Sequence, residues 1–376
     1  MPIYIHQRTD WPAWRWDHDV LAPTLSDIRH RQGRLLGRME SLGFALRQQA
    51  TLRTLTEDAV KTSEIEGERL DTEQVRSSVA RRLGIALERF APQDRHVDGL
   101  VEVLLDATQS FAQPLTPERL WGWHAALFPT GYNGLKRIVV GGWRGAREDP
   151  MQVVSGALGR ERVHFEAPMA DRLDREMGAL LGWFNAPTTA ATTDPVLIAA
   201  IAHLWFVTLH PFEDGNGRLA RAIADLALAR SEGSAQRFYS LSAQIRQDRR
   251  NYYEQLERTQ KGALDITAWL AWFLACLGRS LAAAEGELAV ILNKAAFWDA
   301  VRAQPLNERQ RLVLNRLLDG LDGKLTSSRW AKLAGCSQDT ALRDIQGLVQ
   351  AGLLRLGEAG GRSTCYVLGL ATTTGL

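Results

Sequence analysis

Residues Val196 to Leu209 carry apolar side chains all round a helical wheel, and this constrains the fold more than any other stretch. A helix with no polar face has to be covered on every side, so the rest of the chain must build layers around it. Asp194-Pro195 supplies its start, a capping side chain followed by a proline that suits the first helical position. The helix runs directly into His210. Whatever that imidazole does, it does from a rigid mount at the centre of the protein. A chain of 376 residues, 45% of them hydrophobic, is long enough for two or three domains. The window Ile266 to Leu277 is also apolar but falls short of the roughly 20 residues that span a bilayer, so no membrane association is expected.

The buried helix delivers His210-Pro211-Phe212-Glu213-Asp214-Gly215-Asn216-Gly217-Arg218-Leu219-Ala220-Arg221. Gly215 and Gly217 flank Asn216 and let the backbone enter conformations that other residues avoid. A glycine turn entering a helix start is an anion cradle, because free N–H groups and the helix dipole point the same way. Arg218 and Arg221, three apart, lie on one helix face beside that cradle. Phosphate is the natural ligand, Asp214 suits a magnesium ion riding on it, and His210 suits a base. Taken singly, each piece has an ordinary reading: a structural histidine, a turn, two solvated arginines. Their order within twelve residues is what argues for chemistry.

The segment resembles the signature of the Fic family, His-x-Phe-x-[Asp/Glu]-Gly-Asn-Gly-Arg-x-x-Arg, and matches every fixed position. The resemblance implies a helical core and transfer of AMP from ATP to a Ser, Thr or Tyr hydroxyl of a target protein. It implies that His210 is the catalytic base and that residues 211–218, with Arg221, hold the nucleotide. On that reading Pro211, Phe212 and Glu213 lead into the loop, and Asp214 carries Mg2+. Gly215, Asn216 and Gly217 cradle the phosphates through backbone and amide donors. Tyr252 and Tyr253 match a place where family members have an aromatic near the adenine; read from the residues, a tyrosine pair in a helix is packing. The base transferred is open, UMP being the alternative.

A second motif lies upstream. Thr62-Ser63-Glu64-Ile65-Glu66-Gly67 resembles the family's inhibitory-helix pattern [Ser/Thr]-x-x-x-Glu-[Gly/Asn]. The resemblance implies that Glu66 pairs with Arg221. A carboxylate held bidentately there would occupy the donors meant for a γ-phosphate. It further implies a reverse reaction, in which Glu66 orients a water that strips AMP from a modified protein.

The expected architecture is mostly α, a Fic-type helical core with a β-hairpin flap plus a small C-terminal winged helix-turn-helix domain. Residues 1–110 are read as an N-terminal helical extension with the inhibitory helix at about 50–67 and an earlier helix from Leu21 to Leu46. Trp11, Trp14 and Trp16 are read as packing on the main body. Residues 111–285 are the core, in which His124 on an apolar helix reads as a satisfied core histidine. Ser240 to Gln260 and Asp265 to Ala284 read as further helices, and 286–306 as a linker helix. Short β-branched runs at Ile138–Gly142, Met151–Gly156 and Arg162–Phe165 read as a hairpin at about 138–166. Its open edge suits a target peptide, and a decorative surface hairpin is the equal alternative.

Residues 307–370 read as helix, helix-turn-helix and a two-stranded wing. The charge there is mildly basic, and Asp339 and Asp344 on the second helix face phosphate badly, so protein contact is favoured over DNA. A nucleotide-sensing transcription regulator is the rival function. The net charge of +2 predicts no general affinity for nucleic acid or membranes. Cys276, Cys336 and Cys365 lie far apart without metal spacing, and the N-terminus lacks the apolar core of a signal peptide. A cytoplasmic location is expected, and the family resemblance implies a homodimer.

Overall fold

A computed structural model describes residues 4–40, 42–146, 149–156, 160, 162–186, 193–318, 320–321, 323–357 and 364–369. Helices dominate these residues, as the sequence led us to expect, and the chain divides into two compact units, Met1–Ala283 and Ala284–Leu376.

The first unit holds α1 (His18–Glu40), α2 (Phe44–Ile65), α3 (Thr72–Leu83), α4 (Arg95–Gln109), α5 (Pro117–Leu127), α6 (Leu173–Phe184), α7 (Pro195–Leu209), α8 (Asn216–Glu232), α9 (Leu241–Gln247), α10 (Arg249–Gln260) and the first half of α11 (Thr267–Ala300). Its strands are two small antiparallel pairs, β1 (Tyr132–Asn133) with β2 (Lys136–Arg137) and β3 (Gln152–Ser155) with β4 (Arg162–Glu166). The all-apolar helix α7 is the axis. Asp194 Oδ1 accepts from the Val196 N–H at 2.8 Å and Pro195 opens the first turn. Every residue from Ala199 to Leu209 is buried, with α8 lying along one side and α6 along another. Of the polar groups on α7, Thr208 Oγ1 donates to Leu204 O and His203 Nε2 lies 2.9 Å from the Tyr252 hydroxyl, while His203 Nδ1 and Trp205 Nε1 are buried without a hydrogen-bond partner.

Trp11 and Trp14 meet Trp205 edge to face, at ring centroid distances of 6.1 and 5.8 Å. The Trp11 indole N–H donates to Glu176. The aromatic run thus packs on the main body as expected. Arg15 bridges the start of α11, its N–H donating to Leu264 O and its carbonyl accepting from Ile266 N–H.

Several boundaries differ from the expectation. The helix read from Leu21 to Leu46 is two helices, because Gly43 sits with ψ 154 at the start of α2 and ends the periodic run. Ser240 to Gln260 is likewise split at Asp248, whose φ of −106 breaks the ladder. Ile138–Gly142 is not a strand: β1 and β2 precede it, and Ile138 is buried. The hairpin proper is β3–β4, with its register shifted between Val153 and Val154; positions 157–159 and 161 of the expected flap lie outside the described residues. The core's last helix and the expected linker helix are one element, the 34-residue α11. By length and composition α11 could cross a membrane, contrary to the short apolar window read from sequence. Trp269, Leu270, Phe273, Leu274, Leu277 and Leu281 are nonetheless fully buried in the protein, which accounts for its apolarity.

In the second unit, α12 (Glu308–Leu318), α13 (Ser327–Ala334) and α14 (Gln338–Gln350) precede an antiparallel pair, β5 (Leu354–Leu356) and β6 (Tyr366–Leu368). Thr326 and Ser337 cap α13 and α14 as their sequence positions suggest. Positions 358–363 of the expected wing lie outside the described residues. Asp344 does not face outward. It is buried and paired with Arg309 at 2.9 Å and Asn307 at 2.9 Å, so it is a structural group rather than a phosphate-repelling one. Trp330 fills the middle of this unit among Val313, Leu314, Ile345 and Leu348. Trp330→Ala is expected to cost about 3–5 kcal/mol, read as a lower urea midpoint of the C-terminal transition.

Candidate functional site

The site begins where α7 stops. His210 takes φ 48 and ψ 57, and it alone among the described non-glycine residues has a positive φ. A side chain in that left-handed region costs about 1–2 kcal/mol, so something must hold it there. Arg144 does. Its Nε donates to His210 O at 2.8 Å, its backbone N–H donates to Pro211 O at 2.8 Å, and its Nη2 donates to Pro168 O beyond β4. Arg144 is itself buried. His210 Nδ1 lies 3.4 Å from Val207 O; the tautomer protonated at Nδ1 leaves the Nε2 lone pair available.

The loop then turns through Gly215, at φ 79, into α8. A Cβ at 215 would stand 2.9 Å from the Phe128 ring, so glycine is required both by conformation and by space. The first-turn N–H groups of Asn216, Gly217 and Arg218 have no intrahelical acceptor and carry the positive end of the helix dipole. Asn216 corrects the expectation for its amide. Oδ1 accepts from Phe212 N–H at 3.0 Å and Nδ2 donates to Phe212 O at 2.8 Å, so the side chain staples the loop instead of donating to a phosphate. Pro211 and Phe212 are buried, and Phe212 stacks on His124 at 4.1 Å. They anchor the loop from the core side. His124 is a core residue, as expected, packed between the Asp214 backbone and the Phe212 ring. Glu213 and Asp214 are partly exposed. Asp214 accepts from Asn133 on β1, a partner with no local sequence signal.

Both arginines are buried, Arg221 to 1% exposure. Arg221 Nη2 meets Glu66 Oε1 at 2.8 Å and Thr62 O at 3.0 Å, and Nε donates to Thr62 Oγ1 at 2.7 Å. The expected Glu66–Arg221 pair is present but is not bidentate: Nη1 has no partner and lies beside Gly217. Thr62 takes the donor a second carboxylate oxygen would have used. Thr62 and Glu66 stand four apart on one helix face, a spacing that pointed to both. A methyl group at Gly217 would collide with the Glu66 carboxylate, so that glycine permits the close approach.

Glu66 is set by the end of α2. Glu68 N–H donates to Ser63 O at 3.0 Å and Gly67 N–H to Glu64 O at 3.2 Å, with Gly67 at φ 90. This is a Schellman closure, with Gly67 at the left-handed position where glycine is favoured. Arg249 Nε caps Ile65 O at 2.7 Å. The turn also brings Glu68 to Arg218, Oε2 to Nη1 at 3.0 Å, a pair the sequence did not announce. A cavity of about 440 Å³ opens beside it, lined by Ser63, Glu68, Arg69, Asn133 and Arg218 among others. Tyr252 is buried behind Arg221 with its hydroxyl on His203, so it serves packing. Tyr253 is 38% exposed, with the Arg249 guanidinium over its ring.

The carboxylate of Asp214, with Glu213 next to it, suits magnesium, which takes one or two carboxylates and fills its shell with substrate phosphates and water. Among the described residues no cluster of three His, Cys, Asp or Glu side chains could hold an ion unaided.

Burial pushes the His210 imidazole down to about 4, with the nearby Arg144 charge acting the same way and Asp214 and Glu66 opposing. The ring is neutral at pH 7. His124 and His203, both fully buried, are likewise pushed down by burial to about 4 and about 3. Unfolding returns each to near 6.5, so the unfolded chain binds protons that the folded chain refuses. The stability contributed by the neutral rings is complete above pH 6.5 and is lost as pH falls through 4. Urea midpoints measured from pH 7 to 4.5 should drop, with a limiting slope of about 1.4 kcal/mol per pH unit for each ring. His124→Phe should flatten that slope, and an unchanged slope would count against this assignment.

Comparison with known proteins agrees with this geometry. Residues 114–228 match the Fic/DOC family, and residues 4–85 match a domain of unknown function, DUF4172. A protein adenylyltransferase Fic of Nematostella vectensis is 31% identical over 114 residues, 30% of this chain and 25% of that protein. Protein adenylyltransferase fic-1 of Caenorhabditis elegans is 48% identical over 52 residues, 14% of this chain and 10% of that protein. The chain thus spans a quarter or less of the length of these relatives. Among solved structures, a Fic family protein from Desulfovibrio desulfuricans has the same fold, with a TM-score of 0.50 at 19% identity, covering 92% of this chain and 96% of that one. A Fic domain containing signaling protein from Bacteroides thetaiotaomicron gives a TM-score of 0.51 at 20% identity, covering 69% and 95%. The complete signature sits on the turn between α7 and α8, within the residues 114–228 that match the Fic/DOC family.

Proposed function

We propose that this protein transfers AMP from ATP to a Ser, Thr or Tyr hydroxyl of another protein, and that Glu66 holds the reaction off. The observation that carries the reading is the Glu66 carboxylate on buried Arg221, beside a helix N-terminus and a neutral, unprotonated His210. In the transfer, the target oxygen attacks the α-phosphorus, an O–P bond forms, the bond to the β-phosphate oxygen breaks and pyrophosphate leaves. His210 Nε2 takes the hydroxyl proton. The N–H groups opening α8, with Arg218 and Arg221, hold the phosphates in line, so positioning and electrostatics supply most of the effect. Mg2+ held by Asp214 would neutralise charge on the phosphates. With Glu66 in place, a negative group occupies the Nη2 donor that the triphosphate tail needs.

The β3–β4 hairpin is the proposed docking edge for the target. Val154 and Val163 face each other across it and are exposed, and Arg144 ties the chain just after β4 to the His210 carbonyl. A target segment added as a third strand would therefore be held in register with the base.

Glu66→Gly is expected to raise incorporation of labelled AMP into protein, self-modification included. His210→Ala in that background should lower it by about 10² to 10⁴-fold. Mass spectrometry after incubation with Mg2+ and a mixture of the four nucleoside triphosphates identifies the group transferred. An added UMP would correct the base, and no adduct in any variant would overturn the reading.

A further inference from the structure

Glu66 is not the sole carboxylate set against the signature arginines. Arg218 is 7% exposed, lies 5.1 Å from the centroid of the Phe128 ring and pairs through Nη1 with Glu68 Oε2 at 3.0 Å; its Nε has no partner. Arg218 occupies the third position of α8, so its guanidinium leaves the same first turn whose N–H groups form the cradle. We propose that Glu68 is a second inhibitory carboxylate, competing with a nucleotide's phosphates for Arg218 as Glu66 competes for Arg221. The proposal rests on the nucleotide reading given above.

The geometry makes the two contacts one device. Arg218 and Arg221 are three apart on one helix face. Glu66 and Glu68 stand either side of left-handed Gly67, and the Glu68 N–H to Ser63 O bond fixes the turn that presents both. The two contacts differ in strength. The Glu66 pair has a guanidinium at 1% exposure and is shared with Thr62. The Glu68 side chain is 44% exposed and holds Arg218 through a single short contact. An exposed carboxylate is screened by salt and makes a weaker competitor. The cavity lined by Ser63, Arg69, Asn133 and Arg218 gives the Glu68 side chain room to turn away when phosphate takes the guanidinium. Removing Glu66 alone therefore leaves one restraint in force, and Glu66→Gly is not the fully released state.

The test is calorimetric titration of the full chain with Mg2+ and an ATP analogue carrying a methylene between the α- and β-phosphorus, which binds without transfer. Glu68 is exposed, so Glu68→Gln leaves the core intact. Glu66→Gly/Glu68→Gln is expected to bind about 2- to 5-fold more tightly than Glu66→Gly. The gain should shrink at 0.5 M salt and vanish when Arg218→Gln is added, which places the coupling on that pair. Equal affinity of the double and single variants overturns the second restraint while leaving the nucleotide site standing. So does a gain that persists in the Arg218→Gln background. Failure of Glu66→Gly itself to bind the analogue overturns the nucleotide reading, and the second restraint with it.

Discussion

A guanidinium buried to 1% exposure cannot be left uncompensated, and the arrangement around Arg221 follows from that requirement. Its partners come from α2, which is far away in sequence: the Thr62 hydroxyl, the Thr62 carbonyl and the Glu66 carboxylate. Meeting the charge fixes how deep α2 lies against α8. Other contacts keep it there. Asp58 accepts from Ser240 and from the Ser242 N–H, Glu64 pairs with Arg246, and Arg249 caps the helix end. Because Thr62 supplies two acceptors, loss of the Glu66 carboxylate does not strand the charge. That division suits a contact meant to be given up: the helix has reasons to stay that do not depend on Glu66.

The same economy appears at His210. The rigid helix α7 ends in a residue whose backbone is strained, and the strain is held by Arg144 reaching in from a distant loop. The ring is thereby aimed out of the core while remaining desolvated enough to stay neutral. The loop that follows is stapled twice from within, by Asn216 on the Phe212 backbone and by Phe212 stacked on His124. Asn216 and Phe212, which look like ligand contacts in the signature, are instead part of the rigging that fixes the loop backbone. A preorganised cradle of this kind loses little on binding, because its donors are already turned the right way.

Periodicity and short-range chemistry revealed much of this. The apolar wheel of Val196–Leu209 required a buried axis, since a helix with no polar face has no other stable place. Gly215 announced the turn into α8, and the spacing of Arg218 and Arg221 announced their shared helix face, because turn geometry and helix spacing are local properties. Gly67 marked the end of α2 for the same reason, and Thr62 and Glu66, one turn apart, had to share a face. Helix boundaries at Gly43 and Asp248 were missed because single residues there interrupt an otherwise continuous pattern.

What no local pattern could reveal is which distant groups meet. Arg144 clamps His210 from 66 residues upstream, and Asn133 reaches Asp214 from a two-residue strand. Glu68 carries no local signal, and it is the left-handed turn at Gly67 that brings it onto Arg218. The Asn216 amide reads as a free donor until the loop folds back on itself, and Asp344 as an outward charge until Arg309 closes on it. Sequence alone marked the buried axis and the glycine turns at Gly67 and Gly215, because those depend on neighbours a few positions away. Pairing of buried charges, and hence which donors remain unpaired, was decided by three-dimensional packing, because desolvation acts through space and ignores order along the chain.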